Sequence, residues 1–417
     1  MQVQTQAGTQ TRTATPVQTS APPTRVLSID VLRGITIAFM ILVNDPGDWA
    51  HVYSQLDHSK WNGCTLTDLV FPNFLFLVGA AIILSLNSRL RRGESRRALA
   101  GHIVRRAVII FALKMFLSAY PHFHLTHLRI YGVLTRIAIC YLVAGFICLY
   151  TQRARNLLAI AAALLVGYWA LMRFVPVPGF GVPTHQIPLL DPERNLAAWL
   201  DRGISAFTLR TIHTGVLYQH THDPEGFLST IPAIATTLLG AVAALWLRRT
   251  DAPEPLRITK AQCRNGLLAA GVAGIAAGLI WNPWFPINKN LWTSSYVLFA
   301  AGCSLVGLAV CYWLMDVKRL HETKAGKWLT WPWLVFGSNA ITVYALSILF
   351  VETMIWIRIP SSLEKSGYTT AWHWVYQNLF ARTHSTELTS LAFALAFVAL
   401  CLIPNWLLWR KRIFIKI

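Results

Sequence analysis

Ten apolar segments of membrane-spanning length recur along this chain of 417 residues, and they constrain its fold more than any other feature. Each has 17 to 22 residues, and an α-helix that rises about 1.5 Å per residue needs about 20 residues to cross a bilayer core. We therefore predict an all-α polytopic membrane protein with about ten transmembrane helices. The segments are 27–43, 66–86, 103–119, 130–150, 156–175, 228–247, 264–281, 294–315, 333–352 and 388–409.

The composition agrees with that fold class and excludes several others. Apolar residues make up 54% of the chain and charged residues 13%, which excludes a disordered chain, a collagen-like fibre and a small disulfide scaffold. The seven cysteines show no CxxC pair and no Cys–His spacing, so we expect them to pack as small apolar residues, and no metal site is predicted.

The basic residues indicate the orientation in the membrane. There are 37 Lys and Arg against 18 Asp and Glu, a net charge of +19, which on its own would suggest nucleic acid as a partner. With the N-terminus inside, however, the inner segments hold 21 Lys and Arg and the outer loops hold 9. The positive-inside rule then places both termini in the cytoplasm, with lipid rather than nucleic acid as the partner of the basic residues.

The chain is expected to form one transmembrane domain, residues 25–417, with long outer loops at 176–227 and 353–387. Residues 1–24 are a polar Gln/Thr/Ala/Pro segment without an apolar stretch, so they are interpreted as a disordered cytoplasmic tail and not as a signal peptide. No internal repeat of the kind found in inverted-repeat transporters is evident.

Charged side chains inside the segments need a polar environment, because each costs about 2.5–3.5 kcal/mol at the centre of a bilayer on insertion scales. Asp30 and Arg33 are three residues apart on one helical face and are expected to pair. Lys114 and Arg136 must face a polar interior. For the first pair, a purely structural ion pair is the alternative interpretation.

Histidine shows the opposite asymmetry to arginine and lysine. Of 13 histidines, 11 fall in the outer loops, which suggests a surface built for proton transfer or for polar ligands, since imidazole titrates near pH ~6.5. The first outer loop places His58 between Asn44 and Asp68, a pattern suited to general base chemistry, with an amide to stabilise a developing oxyanion. Ordinary loop capping is the alternative. Polar segments at 220–232 and 286–297 make a shared pocket plausible.

Nine short motifs then occur in order from Arg25 to Ile417. They are RVLSIDVLRG, VN at 43–44, HSKWNG, TDLVFP, GVLTR, DPEGFLSTI, INKNLW, GSN at 337–339 and RKRIFIKI. Together they resemble the heparan-alpha-glucosaminide N-acetyltransferase family, which includes a lysosomal enzyme and bacterial relatives. The resemblance implies acetyl transfer from cytosolic acetyl-CoA to a glucosamine-type amine on the far side of the membrane.

The resemblance also implies roles for individual residues. The family's catalytic histidine matches His58 and its functional asparagine matches Asn44, with Asp68 or Asp57 expected to tune the imidazole. The lysosomal enzyme has a second histidine where this chain has Ser347, so any role of that histidine is not carried over. Direct transfer with His58 as base and a route through acetyl-His58 both fit, and direct transfer is favoured.

The remaining site predictions concern ligand binding. CoA carries phosphates, so cationic side chains should line its path, although lipid head groups are an alternative for each of them. The predicted donor-binding residues are Arg33, Arg105, Arg106 and Arg136. The predicted substrate-binding residues are Asp30, Asn62, Glu225, Asn288, Asn290 and Trp292.

Two other classes of function are alternatives to an acetyltransferase. A transporter for N-acetylglucosamine or a related sugar would be expected to show paired repeats and broken helices, and a scaffold protein would leave the charges inside the membrane unexplained. We expect a bacterial inner-membrane protein that forms a homodimer. If the host is bacterial, a wall-derived amino sugar or another glycan is the expected acceptor.

Overall fold

The structure, a computed structural model, describes residues 26–361 and 367–415. The tail predicted for residues 1–24 lies outside the described residues. Thirteen α-helices and one short hairpin occur in the described part of the chain. They are α1 (Leu27–Asn44), α2 (Val70–Arg91), α3 (Arg96–Ala119), α4 (Val133–Tyr150), α5 (Ala154–Phe174), α6 (Leu196–Ile212), α7 (Thr230–Leu247), α8 (Lys260–Trp281), α9 (Ser294–Tyr312), α10 (Lys324–Ser338), α11 (Ala340–Trp356), β1 (Arg358–Pro360), β2 (Tyr368–Thr370), α12 (Ala371–Val375) and α13 (Glu387–Arg410).

The predicted fold class is confirmed. Within the described residues, eight helices are long and apolar enough to cross a membrane, and the bent pair α10–α11 would make a ninth. Helix α3 has the length, at 24 residues, but Arg105, Arg106 and Lys114 interrupt its apolar sequence. The molecule is therefore an all-α polytopic membrane protein in which one long helix carries an unusual number of positive charges.

The prediction of a single helix over residues 333–352 is wrong. The chain breaks at Asn339, and the axes of α10 and α11 differ by 81°. Asn339 has a non-helical backbone (φ −134°, ψ 46°), and its side chain forms hydrogen bonds with the C-terminal segment, to Ile413 and from Ile415. These tertiary bonds, which hydropathy does not register, accompany the break.

Helix α6 was not predicted either, since residues 176–227 were interpreted as a loop. The helix begins after Asn195, whose side chain accepts a hydrogen bond from the Ala198 amide at 2.9 Å, the usual N-terminal cap. Asp201 and Arg202 divide its apolar residues, so the segment lacks a continuous apolar run and gives no membrane signal.

The centre of the bundle depends on close contacts between helix backbones. A Cβ atom on Gly79 of α2 would lie 1.7 Å from the Thr237 carbonyl oxygen of α7, and one on Gly240 of α7 would lie 1.8 Å from the Phe76 carbonyl oxygen. Both positions therefore require glycine, as is common where membrane helices cross closely. The α2–α7 pair lies at the centre, and α1, α4, α5 and α9 pack against it.

The five loops assigned to the outer side by charge counting meet at one end of the bundle. They are joined by the pairs Trp61–Leu190, Gly63–Ile287, Arg129–Asp223 and Asp48–Ser385. We call this the histidine end, where α1 ends and α2 begins. The opposite end, where α1 begins and α2 ends, is called the cavity end. Which of the two faces the cytoplasm stays a prediction.

Candidate active site

A histidine–aspartate pair lies at the histidine end. His58 Nδ1 is 2.7 Å from Asp68 Oδ1. The Asp68 side chain is completely buried, whereas the His58 side chain is 42% exposed. The carboxylate therefore fixes the ring from below and leaves Nε2 of the imidazole on the accessible side. Asp57, the other predicted partner, instead accepts a hydrogen bond from the His58 backbone amide at 2.7 Å.

Asp68 is held by the turn that leads into α2. Its Oδ2 atom accepts hydrogen bonds from the backbone amides of Ser59 (3.1 Å) and Thr65 (3.0 Å) and from the Thr65 hydroxyl (3.1 Å). Donors that converge in this way stabilise the ionised form of a carboxylate. The Asp68 backbone carbonyl also accepts a hydrogen bond from the buried Tyr296 hydroxyl at 2.5 Å. The dyad is thus anchored to α2 and to α9.

Four of the predicted substrate-binding residues lie together in the loops at the histidine end. The Asn288 amide nitrogen donates to Asn62 Oδ1 at 3.2 Å, which joins the loop of His58 to the loop before α9. Trp292 is buried and its indole nitrogen donates to the Thr236 hydroxyl at 3.1 Å. Asn290 lies half-buried in the same turn. The structure therefore brings these residues to the histidine end, and their contact with a substrate stays a prediction.

Asn44, the other residue predicted to be catalytic, ends α1 at the same end of the molecule and is exposed. Within the described residues it forms no hydrogen bond with His58 or Asp68. The next residue, Asp45, is partly buried, and burial raises the pKa of its carboxyl group to about 8. A neutral carboxyl group beside Asn44 is a feature that the sequence did not indicate.

A second polar cluster surrounds Arg129, which binds Asp223 (2.6 Å) and Glu225 (2.5 Å). Burial alone would lower the pKa of Arg129, but the hydrogen bonds and charges of these two carboxylates raise it. Glu225, predicted to bind substrate, is therefore engaged in an ion pair. Lys114 donates to the Arg129 carbonyl oxygen at 2.8 Å, so this intramembrane lysine does face a polar interior.

Arg136 is almost completely buried next to this cluster. Its Nη2 atom donates to the Gly226 carbonyl oxygen at 3.1 Å and to the Ser229 hydroxyl, and its guanidinium lies 4.9 Å from the centre of the Trp292 ring. Its contacts hold the loop before α7 against Trp292. Arg136 does not line the cationic cavity described below, and its predicted contact with the donor stays a prediction.

Asp201 of α6 fixes the same loop from the other side. Its Oδ1 accepts a hydrogen bond from the Phe227 amide at 3.0 Å. Burial, together with the nearby charge of Asp223, raises the pKa of Asp201 to about 7 against the opposing effect of that hydrogen bond. This carboxyl group therefore changes its charge near neutral pH.

A large cavity opens at the cavity end, with a volume of about 710 Å³. Its polar lining is dominated by four arginines, Arg33, Arg89, Arg105 and Arg106, and includes His102. Arg33 pairs with Asp30 at 3.2 Å, as the sequence predicted. The Arg106 guanidinium lies 4.7 Å from the centre of the Tyr141 ring, an aromatic residue that also lines the cavity. This is a site suited to a ligand with several negative charges and a flat ring.

The cavity extends along α2 towards the dyad. Its lining on that helix runs from Arg89 to Phe74, which is about 22 Å at 1.5 Å per residue. Phe74 is six residues from Asp68, so about 9 Å of helix axis separates the near end of the cavity from the dyad. The break between α10 and α11 supplies another wall, with residues 337–341, and the C-terminal segment supplies Phe414 and Ile415.

The structure thus groups the predicted site residues at two ends. Arg33, Arg105 and Arg106 line the cavity, and Asp30 lies with them and not near the dyad. Their contact with a donor or a substrate stays a prediction. Arg89 and His102 were missed because they lie in a short inner loop and its flanks, where positive charge was attributed to topology. Asn339 lies in the GSN motif and Phe414 in the RKRIFIKI motif, and the sequence analysis assigned no role to either residue.

Comparison with known proteins shows which proteins this chain is similar to. The family model for the catalytic region of heparan-alpha-glucosaminide N-acetyltransferase matches residues 25–282. Heparan-alpha-glucosaminide N-acetyltransferase of Homo sapiens is 29% identical over 448 aligned residues, which cover 95% of this chain and 61% of the human protein. The Mus musculus enzyme is 31% identical over 362, which cover 77% and 53% respectively. The chain therefore spans between about half and three fifths of these relatives.

Proposed function

Because the chain belongs to the heparan-alpha-glucosaminide N-acetyltransferase family, we propose that it is a transmembrane acetyltransferase. In this proposal acetyl-CoA binds at the cavity end, and an amino sugar or glycan amine binds at the histidine end and receives the acetyl group. The observation that carries the proposal is the cationic cavity that extends along α2 towards the His58–Asp68 dyad.

The cavity chemistry matches the donor. Four arginines offer planar donors for phosphate oxygens, and residues 339–341, at the N-terminus of α11, line the same space. The far part of the cavity, along Phe74, Leu77 and Val78, is apolar. The phosphates of CoA would therefore bind near Arg89, and the acyl arm would extend towards the dyad.

The dyad supplies the base. With Nδ1–H donating to Asp68, the neutral imidazole carries its lone pair on Nε2, the atom that can accept a proton from the attacking amine. The buried carboxylate stabilises the imidazolium that forms. The acetyl group then passes from sulfur to nitrogen, and the proton that leaves the amine is available to the departing thiolate.

Direct transfer is the route that we favour, because a cavity that approaches the dyad from one side lets the thioester and the amine meet there. A route through acetyl-His58 would instead acetylate the enzyme when acetyl-CoA is present alone. Mass spectrometry of the purified protein after acetyl-CoA alone distinguishes the routes. A stoichiometric acetyl adduct on His58 would contradict direct transfer.

The test of the proposed function is acetyl transfer by the purified protein in detergent. Labelled acetyl-CoA and glucosamine should give labelled N-acetylglucosamine, and His58→Ala should abolish transfer while CoA binding is retained. His51→Ala is the matched control, since His51 also pairs with an aspartate of the same loop, Asp48, at 2.9 Å. Unchanged turnover in His58→Ala would remove this residue from the mechanism.

A sugar transporter is the second candidate, and the 81° break between α10 and α11 is the observation that favours it, since broken helices form the binding sites of many transporters. Liposomes that contain the protein decide between them. Uptake of N-acetylglucosamine without any acetyl transfer would replace the enzyme proposal by the transporter.

We also propose that the cavity end faces the cytoplasm of a bacterial cell, with the protein in the inner membrane. The support is the excess of Lys and Arg in the loops at that end. This orientation gives the cavity access to cytosolic acetyl-CoA and leaves the dyad on the extracytoplasmic side.

A further inference from the structure

The C-terminal segment turns back onto the bundle directly after α13. The Ile413 amide donates to the Leu408 carbonyl oxygen at 2.9 Å and the Arg412 amide donates to the Trp409 carbonyl oxygen at 3.0 Å. These two bonds form a Schellman motif, in which the residue after the helix adopts the left-handed conformation. Arg412 occupies that position with φ +55°, although glycine is the residue best suited to it.

Asn339 then clamps the segment at the break between α10 and α11. Its amide nitrogen donates to the Ile413 carbonyl oxygen at 3.1 Å, and its amide oxygen accepts from the Ile415 amide at 2.8 Å. The Asn339 side chain thereby pairs with the backbone on both sides of Phe414. Asn405 fixes the preceding part of α13 to α10 by donating to the Val335 carbonyl oxygen at 2.8 Å.

The clamp places Phe414 and Ile415 in the wall of the cationic cavity. Phe414 is 42% exposed and Ile415 is 46% exposed. The segment therefore presents apolar surface that the rest of the protein covers only in part. The same short segment carries Lys411 and Arg412. The segment therefore combines apolar surface and positive charge beside the break between α10 and α11.

We propose that residues 411–415, which we call the strap, hold the acyl-CoA donor in the cavity, with Asn339 as their anchor. The inference rests on the proposed function of the cavity. A bound CoA would cover the exposed faces of Phe414 and Ile415, and that burial would favour the anchored position of the strap. The strap therefore contributes mainly to the residence time of the donor and not to the chemistry at His58.

The dissociation rate of radiolabelled CoA from the full-length protein, measured by displacement with excess unlabelled CoA, tests the strap. Phe414→Ala should dissociate about tenfold faster, because the apolar contact with CoA is lost. The matched control is Ile403→Ala, a residue that is 51% exposed on α13 and does not line the cavity. It should leave the dissociation rate unchanged.

A second pair of variants tests the strap by a stabilising change. Arg412→Gly relieves the left-handed conformation and should slow CoA dissociation about threefold relative to Arg412→Ala, which removes the same charge but keeps the unfavourable backbone. Equal dissociation rates for these two variants would contradict the role of the anchored strap, as would an unchanged rate in Phe414→Ala.

The outcomes separate this inference from the proposed function. If the unmodified protein binds no CoA, the donor cavity itself is wrong. If it binds CoA and transfers acetyl groups while all four variants release CoA at the original rate, only the strap is overturned. Thermal unfolding of each variant shows whether a changed dissociation rate is caused by a loss of folding. If Phe414→Ala does not fold, the comparison of Arg412→Gly with Arg412→Ala decides the test.

Discussion

At the scale of single residues, Asp68 links the fold to the chemistry. One of its oxygens contacts the His58 ring and the other accepts hydrogen bonds from the Ser59 and Thr65 amides. The two oxygens therefore have different functions, the first towards the imidazole and the second towards the backbone. This division of functions predicts what an isosteric amide would do at the same position.

Asp68→Asn should lower the turnover number for acetyl transfer by about 10²- to 10⁴-fold. The backbone amides require an acceptor, so the amide oxygen would replace Oδ2 and the NH₂ group would face His58. The NH₂ group would donate to Nδ1, place the ring proton on Nε2 and leave no base towards the substrate. Steady-state kinetics should show a nearly unchanged KM for acetyl-CoA.

Asp57→Asn is the control for that variant, because the Asp57 carboxylate contacts His58 only by accepting a hydrogen bond from the His58 backbone amide. Its turnover should stay within about twofold of the unmodified protein, as expected for an exposed loop residue. Equal activities of Asp57→Asn and Asp68→Asn would contradict the assigned function of the buried carboxylate.

Asp201 gives the molecule a pH-dependent stability. Its pKa is about 7 in the folded protein, against an ordinary value of 3.8, so the folded state retains a proton that the unfolded state has lost between these values. The stability from this group is therefore present at low pH and is lost as pH rises from about 4 to 7, by up to about 1.4 kcal/mol per pH unit. Thermal unfolding between pH 5 and 8 measures it.

Asp201→Asn keeps the acceptor for the Phe227 amide and removes the titrating group. This variant should lose less stability than the unmodified protein as pH rises over that range. Identical pH profiles for the two proteins would show that Asp201 does not hold its proton.

Residue identity was predictable where chemistry and position coincide. The sequence allowed us to select His58, Asp68 and the Asp30–Arg33 pair. Charged or titratable groups at a membrane boundary are costly, so their presence indicates a structural or functional role. Arg89 could not be selected in this way, because topology already explained its charge. Whether Asp57 or Asp68 contacts the His58 ring depends on the geometry of the turn, which the spacing in the sequence does not determine.

At the scale of helices, close backbone contact between α2 and α7 keeps the site rigid. Gly79 and Gly240 permit this contact from both sides. Asp68 lies in the turn directly before α2 and Arg89 lies near the other end of this helix, so the position of α2 against α7 affects the geometry of the dyad and of the cavity together.

Gly79→Ala should destabilise the protein by about 1–3 kcal/mol or more, because the added methyl group overlaps the Thr237 carbonyl and forces the two helices apart. Gly167→Ala is the matched control, since nothing lies within 4 Å of a Cβ at this helical glycine of α5. It should be neutral or more stable by up to about 1 kcal/mol. Similar unfolding temperatures for both variants would contradict the close crossing.

Most of the long helices followed from hydropathy because each apolar segment indicates its own length. The break at Asn339 and the amphipathic helix α6 did not follow. The first is accompanied by hydrogen bonds with Ile413 and Ile415, about 75 residues away in the chain, and the second packs its Asp201 against the loop before α7. Both depend on tertiary contacts, which single-segment patterns do not contain.

At the scale of the whole molecule, the separation of the two sites is the property that matters. The loops at the histidine end converge on the dyad, while the cationic cavity opens at the opposite end and extends towards it. In the proposed function, the protein takes the donor from one compartment and the acceptor from the other. It would acetylate the acceptor without moving either substrate completely across the membrane.

Acetyl transfer across the membrane of sealed proteoliposomes tests this central claim most directly. Labelled acetyl-CoA is supplied outside only, glucosamine is enclosed inside, and vesicles with the His58→Ala protein are the control. We predict labelled N-acetylglucosamine inside the vesicles and none from glucosamine supplied outside with the donor. Product that forms only when donor and acceptor share one side of the membrane would contradict the account.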